Sequence, residues 1–211
     1  MPARVRVTPF GNLIAVASRG LLMGNRGCLH DQTGEVVRET ASYKGWVTCL
    51  LDFNGRKREL RRPGRYTELF FLDEATALAA GHRPCHTCRR HALGRFLDCV
   101  AAGIALDRRE RPGQLDHRLH AERLNGRAFR GGWPGRLSEL PPGTIVTRMG
   151  DPSSAYLWVN GSLRRWMPDG YGEPEAGALP ADVLVLTPPT VLAALRAGYE
   201  PLLHATARVN G

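Results

Sequence analysis

The pair Cys85 and Cys88 is the feature that most constrains how this chain can fold. It stands in Arg83-Pro-Cys-His-Thr-Cys-Arg-Arg90, with turn-forming residues before it and an amphipathic pattern after it. Two sulfurs three residues apart across a turn can both face one tetrahedral ion at about 2.3 Å, and a following helix start favours thiolates. A thioredoxin-like redox pair is the rival interpretation, but its strand-to-helix context in a parallel sheet is missing. The pair predicts half of a structural zinc site.

The remaining cysteines supply candidates for the other half of that site. The count of five is odd, and the N-terminus lacks a secretory signal pattern, so reduced thiols and a cytoplasmic location are expected. Cys99 falls in an apolar stripe and is expected to be a buried hydrophobe. A site in which His30 replaces one cysteine is the second choice. The first choice is a site of four thiolates: Cys28, Cys49, Cys85 and Cys88.

The formal charge of +9 is concentrated in the first two thirds of the chain. Residues 1–65 carry 12 basic and 5 acidic residues, as do residues 83–136, whereas residues 137–211 carry 5 basic and 7 acidic ones. Arginine pairs bidentately with phosphate and releases counterions, although arginine is also an ordinary solvated surface residue. The asymmetry favours DNA, duplex or single-stranded, as the partner. No stretch approaches the roughly 20 apolar residues that span a bilayer, so no membrane partner is expected.

The order of apolar and turn-forming segments predicts an α+β fold. We expect a small zinc-stapled antiparallel sheet with helices, followed by a small β-rich C-terminal domain. Residues 1–126 would form the zinc-binding basic module with its following helices. Residues 127–143, which are rich in glycine and proline, would be a linker, and residues 144–211 the β-rich domain.

Several local signals define individual elements. The strand Trp46–Phe53 reaches Asn54-Gly55, a type I′ turn signal that predicts an antiparallel return arm over residues 56–60. Asp73 is expected to cap a helix over residues 74–80 that ends at Gly81, and a second helix should run from Cys88 to Gly103. A second Asn-Gly hairpin is expected at residues 160–161, and a last helix capped by Thr187.

The hairpin and the segment after Cys88 also carry the candidate phosphate contacts. A zinc-pinned turn beside a basic hairpin would place two basic surfaces near one another, which favours contact with the phosphate backbone over base readout. The predicted nucleic-acid-binding residues are Arg56, Lys57, Arg58, Arg61, Arg62, Arg89 and Arg90. Four aromatic residues could stack on bases, although core packing explains them equally well: Trp133, Trp158, Trp166 and Tyr171, the last expected to be the most exposed.

The stretch Leu72-Asp-Glu-Ala-Thr-Ala-Leu-Ala-Ala-Gly-His-Arg-Pro-Cys-His-Thr-Cys88 resembles the zinc-binding N-terminal domain of the Ada DNA-repair proteins, over about residues 46–90. The resemblance implies zinc held by four cysteines, one of which removes a methyl group from a DNA phosphotriester. Cys49 stands in a place comparable to the family's first ligand pair. Phe53 stands where that pair's second cysteine would be, so either Cys28 supplies the missing thiolate or the site is assembled differently. DNA contact in repair or genome defence is the function this implies.

A second cluster leaves an enzymatic function open. Asp116, His117, His120 and Glu122 fall together, and on a helix Asp116 and His120 share a face. They could serve as base and orienter of a DNA glycosylase or nuclease, with the zinc purely structural. The interpretation we favour is a solvated, ion-paired helix that packs Leu115 and Leu119 inward. Stoichiometric methyl transfer onto Cys49 or Cys28 is the third possibility.

Overall fold

The computed structural model describes residues 4–55, 60–126 and 128–208. Its first sheet has six strands: β1 (Arg4–Val7), β2 (Leu13–Val16), β3 (Leu22–Asn25), β4 (Val47–Leu50), β5 (Leu69–Phe71) and β6 (Arg83–Pro84). They lie in the order β2-β1-β5-β3-β4-β6, with β1 parallel to β5 and β4 parallel to β6. The α+β class is confirmed. The sheet is mixed where a purely antiparallel one was expected, because β6 reaches β4 through a long crossover that no hairpin signal reveals.

A second sheet, of six antiparallel strands, occupies the C-terminal part of the chain. A two-stranded hairpin precedes it, β7 (Leu124–Asn125) with β8 (Ala128–Phe129). The strands of the sheet are β9 (Trp133–Arg136), β10 (Thr144–Arg148), β11 (Asp151–Val159), β12 (Ser162–Met167), β13 (Gly170–Pro174) and β14 (Asp182–Val185). Their order is β13-β12-β11-β10-β14-β9. Strand β9 lies inside the range expected to be a linker and pairs with β14.

The helices begin and end close to where the local signals placed them. They are α1 (Glu74–Ala79), α2 (Arg90–Gly103), α3 (Pro112–Arg123) and α4 (Pro189–Arg196). The Asp73 carboxylate accepts a hydrogen bond of 2.9 Å from the backbone N–H of Thr76, and Gly81 takes a φ of +76°, so both predicted ends of α1 are confirmed. None of the helices in the described ranges has the length and apolarity that crossing a membrane requires.

The Asn-Gly turns adopt the conformation that their residue types predict. Asn54 and Gly55 have φ values of +56° and +64°, and Asn160 and Gly161 have values of +49° and +70°. Both pairs therefore lie in the left-handed region, as a type I′ turn requires. The second pair joins β11 to β12 as a tight hairpin. Of the return arm predicted over residues 56–60, residues 56–59 lie outside the described residues and Leu60 lies in a turn; the described neighbours of β4 are β3 and β6.

Helix α2 joins the two parts of the chain through a shared apolar core. The stripe predicted on α2 is buried and packs in one cluster with side chains from α3 and α4. Its α2 members are Leu93, Phe96, Leu97 and Val100, and the residues they meet include Leu115, Leu119, Val191, Ala194 and Leu195. The inward packing of Leu115 and Leu119 agrees with the expectation for that helix.

Two buried carboxylates at the start of α1 tie the C-terminal segment to the first sheet. Asp73 accepts hydrogen bonds from the Tyr171 hydroxyl at 2.9 Å and from the backbone N–H of His204 at 3.1 Å. Glu74 accepts hydrogen bonds from the Tyr199 hydroxyl at 2.7 Å and from the backbone N–H of Leu202 at 2.9 Å. Tyr171 is consequently 5% exposed, so the expectation that it is the most exposed aromatic was wrong.

Replacing Glu74 by alanine should lower the free energy of unfolding by about 3–5 kcal/mol. The buried Arg89 guanidinium, which pairs with Glu74 at 2.8 Å, would lose its carboxylate partner. Urea unfolding followed by circular dichroism measures the change. Glu200→Ala, which removes an exposed carboxylate, is the matched control and should change the free energy by less than about 0.5 kcal/mol. Equal effects of the two substitutions would contradict the assigned role of Glu74.

Candidate metal centre

The edge of the first sheet brings the Cys-x-x-Cys turn beside Cys49. Gly81 ends α1 in a left-handed conformation, and the chain turns back to run parallel to β4. The backbone N–H of Arg83 donates to the carbonyl of Trp46 at 3.1 Å, and that of Cys85 donates to the carbonyl of Thr48 at 2.8 Å. This ladder fixes the position of Cys85 relative to the next residue of β4, which is Cys49.

Cys49, Cys85 and Cys88 form a compact, half-buried group whose sulfur atoms all lie within 4.8 Å of one another. A tetrahedral ion bound at ~2.3 Å by each sulfur needs S···S separations of ~3.8 Å, so small side-chain adjustments suffice to hold one. The backbone N–H of Thr87 donates to the Cys85 sulfur at 3.3 Å, and that of Leu50 donates to the Cys88 sulfur. The group could therefore hold a metal ion, with backbone donors that stabilise charge on the sulfurs.

The three thiols differ in how readily they ionise. The pKa of Cys85 is lowered to about 4, first by the hydrogen bond from Cys49 and then, against the effect of burial, by the backbone N–H groups of Cys88 and Thr87. The pKa of Cys49 is raised by that same hydrogen bond and by burial, and the pKa of Cys88 is raised chiefly by burial. One thiolate is thus already present near neutral pH, and a bound cation would displace the remaining protons.

The two residues considered as further ligands lie outside this group. Cys28 is exposed, and its thiol donates to the carbonyl of His30 at 3.4 Å. His30 is buried, with one ring nitrogen 2.6 Å from the Thr67 hydroxyl and the other 3.2 Å from the Arg62 carbonyl. The group of ligand atoms found among the described residues has three members, and it includes neither Cys28 nor His30. Cys99 packs against the core cluster of α2 but is only partly buried, where a buried position was expected.

The two carboxylates of the predicted catalytic cluster make separate contacts. Asp116 is buried and binds Arg83 through two hydrogen bonds of 2.8 Å each. The Glu122 carboxylate accepts from the backbone N–H of Thr190 at 3.1 Å and from its hydroxyl, at the N-terminus of α4. Burial raises the pKa of Glu122. Both carboxylates connect α3 to neighbouring elements.

The two histidines of that cluster contact cations. His117 Nδ1 lies 3.4 Å from Lys44 Nζ, and His120 Nδ1 lies 3.1 Å from Arg123 Nη2. The pKa of His120 is lowered, first by burial and then by Arg123 and Lys44. Neither histidine belongs to a group of ligand atoms close enough to share a metal ion in the described part of the chain. The favoured interpretation of α3 was a solvated, ion-paired helix; Asp116 does form an ion pair, but it is a buried one.

The predicted basic surface is divided between the interior and the solvent. Arg89 is buried, and its guanidinium binds Glu74 and the Thr48 hydroxyl at 2.8 Å each. Arg61 is half-buried and donates to the carbonyl of Gly34, whereas Arg62 and Arg90 are exposed. The predicted contacts at residues 56–58 lie outside the described residues.

A buried stack of arginines on Trp46 is the feature nearest this site that sequence reasoning missed. The guanidinium carbons of Arg26 and Arg123 lie 4.5 Å and 3.6 Å from the centre of the Trp46 ring. Arg26 Nε also donates to His82 Nε2 at 3.3 Å, which sets the histidine as the acceptor. Burial lowers the pKa of each arginine to about 9 and the pKa of His82 well below its usual value. These four residues lie far apart in the sequence and belong to no common motif, so no sequence pattern predicts that they stack together.

Comparison with protein-family models, with curated proteins and with solved structures finds no match for this chain. The resemblance to the Ada zinc-binding domain therefore rests on the residues quoted from the sequence. The metal centre is interpreted from its own geometry.

In the metal-free protein, the rate of alkylation of Cys85 should change little between pH 6 and pH 8. Its pKa of about 4 lies below that range, so the thiolate fraction is already near one. The pKa of Cys99 is raised, so its rate should increase about tenfold per pH unit over the same range. Iodoacetamide labelling with a chelator and a phosphine reductant, followed by peptide mass spectrometry, measures both rates. A tenfold rise per unit at Cys85 would show that its thiol is not ionised in advance.

Proposed function

We propose that this is a zinc-containing DNA-binding protein of the DNA-repair or genome-defence kind. The observation that carries the proposal is the convergence of Cys49 with Cys85 and Cys88 at one edge of the first sheet. Sulfur ligands in a tight turn with backbone N–H donors select a soft, tetrahedral ion, and zinc is the ordinary choice for a structural site of this composition. The fourth ligand would come from the solvent, from Cys28 after a loop movement, or from another donor.

The exposed arginines near the turn support DNA as the partner. Arg90 is the first residue of α2, two positions after Cys88, so an ion held by the cysteines would fix where its side chain starts. The N-terminal N–H groups of α2 also favour a phosphate at that end. Arg62 adds a second exposed cation, and the other exposed basic residues of the ranges 1–65 and 83–136 add to the attraction for a polyanion.

Contact with the backbone of DNA is favoured over base readout by the same observations. Arg62 lies on a loop and Arg90 lies at the start of α2, so the two do not form a row along one helix that could enter a groove. Tyr171, which was expected to be the most exposed candidate for base stacking, is buried. Binding should therefore depend strongly on salt and weakly on sequence.

Purified protein should contain one zinc ion per chain. Serine substitutions of Cys49, Cys85 or Cys88 should each reduce that content to near zero, because two thiolates hold zinc far more weakly than three. Cys99→Ser is the control and should retain the metal. Cys28→Ser separates two assemblies: retained zinc means three protein thiolates suffice, and lost zinc means that Cys28 closes the site. Elemental analysis by mass spectrometry measures the content, and a metal-free wild type would overturn the zinc assignment.

Binding to a duplex or a single-stranded oligonucleotide should weaken steeply as salt rises from 50 to 200 mM. The double substitution Arg62→Gln/Arg90→Gln should reduce the slope of log K against log salt by about two, one for each phosphate contact removed. Arg136→Gln, at an exposed arginine on an edge strand of the second sheet, should leave the slope unchanged. Fluorescence anisotropy measures these slopes. Absence of binding at 50 mM salt would remove DNA as the partner, and an unchanged slope in the double variant would move the contacts elsewhere.

A further inference from the structure

Arg164 on β12 is a buried cation that forms no ion pair with a carboxylate of the described residues. The residue is 4% exposed, and its Nη1 donates to the carbonyls of Gly172 and Thr206 at 3.3 Å and 3.2 Å. Its Nε has no hydrogen-bond partner within the described ranges. The ion pairs found among the described residues involve other arginines. A buried guanidinium that meets only carbonyl oxygens retains most of its charge uncompensated, which is costly.

The Arg164 side chain lines a cavity of about 420 Å³ at the outer end of the second sheet. Tyr171, Glu173, Thr206 and Arg208 also line it. Strand β13 forms one wall, and the C-terminal segment around the 3₁₀ turn Ala205–Ala207 forms the other. The volume falls within the range of small-molecule sites, and it exceeds what one or two water molecules occupy.

The charges at this cavity define the ligand that fits. Two guanidinium groups, of Arg164 and Arg208, and one carboxylate, of Glu173, leave one positive charge uncompensated. A monoanion would neutralise the cavity, whereas a dianion would add repulsion from Glu173. Guanidinium binds planar or tetrahedral oxyanions with paired hydrogen bonds, so oxygen acceptors match the donors better than a halide does.

We propose that this cavity binds the monoanionic oxyanion of a small ligand, a phosphodiester or carboxylate group, on the guanidinium of Arg164. Arg208 supplies a second cation at the mouth, and Glu173 excludes doubly charged groups. The site is formed by the second sheet and the C-terminal segment, and its residues are separate from the cysteine group. It therefore stands independently of zinc and of DNA binding.

The test is a titration of the full-length protein with dimethyl phosphate, with acetate and with chloride at equal ionic strength. The arginine side-chain signals in ¹H–¹⁵N spectra report binding, because the guanidinium of Arg164 would gain an oxygen acceptor. At least one of the two oxyanions should give a saturable shift of one arginine signal, and chloride should not. Saturation by dimethyl phosphate alone identifies a phosphodiester source, and saturation by acetate alone identifies a carboxylate source.

Arg164→Met should weaken this binding by about tenfold or more, the loss expected for a charge-assisted hydrogen bond. Arg208→Gln, at an exposed position, should weaken it as well and serves if the first variant fails to fold. Arg165→Gln is the matched control, because Arg165 is the next residue on β12 and is exposed on the other face. Linear shifts equal to those in chloride, or saturation that survives the loss of Arg208 unchanged, would overturn the proposal.

Discussion

Two buried ion pairs clamp the Cys-x-x-Cys turn at both of its ends, and the geometry of the candidate metal centre depends on them. Arg83, two residues before Cys85, binds Asp116 of α3 at 2.8 Å, and Arg89, directly after Cys88, binds Glu74 of α1 at 2.8 Å. In each pair both side chains are at most 12% exposed, so the pairs gain strength from the low local dielectric and leave a large penalty if one member is lost. The turn is thus positioned by protein contacts before any ion binds.

These contacts change what the basic composition means. Four arginines near the site, Arg26, Arg83, Arg89 and Arg123, are buried. They pair with carboxylates, stack on Trp46 or donate to carbonyls, and they present little charge to a polyanion. Any attraction to DNA depends on the exposed remainder, such as Arg62 and Arg90. A charge count taken from sequence overstates the positive surface wherever arginine is used as a core residue.

Sequence reasoning succeeded where the cause of a structure is local. The left-handed Asn-Gly turns, the Asp73 cap and the buried stripe of α2 each follow from residues within a few positions. It failed where the partner is distant. Thr187 was expected to cap α4, yet its hydroxyl accepts from the backbone N–H of Ile145, and Glu122 of α3 accepts from the first turn of α4 instead. The pairing of β4 with β6 is likewise a contact between residues more than thirty positions apart.

The same distinction applies to the candidate site. Cys85 and Cys88 could be assigned from their spacing alone, and Cys49 from its strand and from the resemblance. The position of Cys28 could not be assigned, because Gly27 and the loop that follows it are held by Thr67, whose backbone N–H donates to the carbonyl of Gly27. The hydroxyl of Thr67 also accepts from the backbone N–H of Leu29 at 2.7 Å, which fixes the course of that loop. Only the folded chain shows that this arrangement leaves three sulfurs together and the fourth apart.

A continuous set of buried polar contacts connects the cavity of the second sheet to the cysteine turn. Tyr171 lines the cavity and donates to Asp73, the next residue, Glu74, binds Arg89, and Arg89 follows Cys88. Asp73 and Glu74 are both buried, so these contacts form only when α1 is folded between the two sheets. An ion bound by the cysteines and an anion bound on Arg164 would each favour that folded arrangement over the unfolded chain, and each would stabilise the helix that the other requires. The contacts at the start of α1 therefore contribute to the stability of both parts of the molecule.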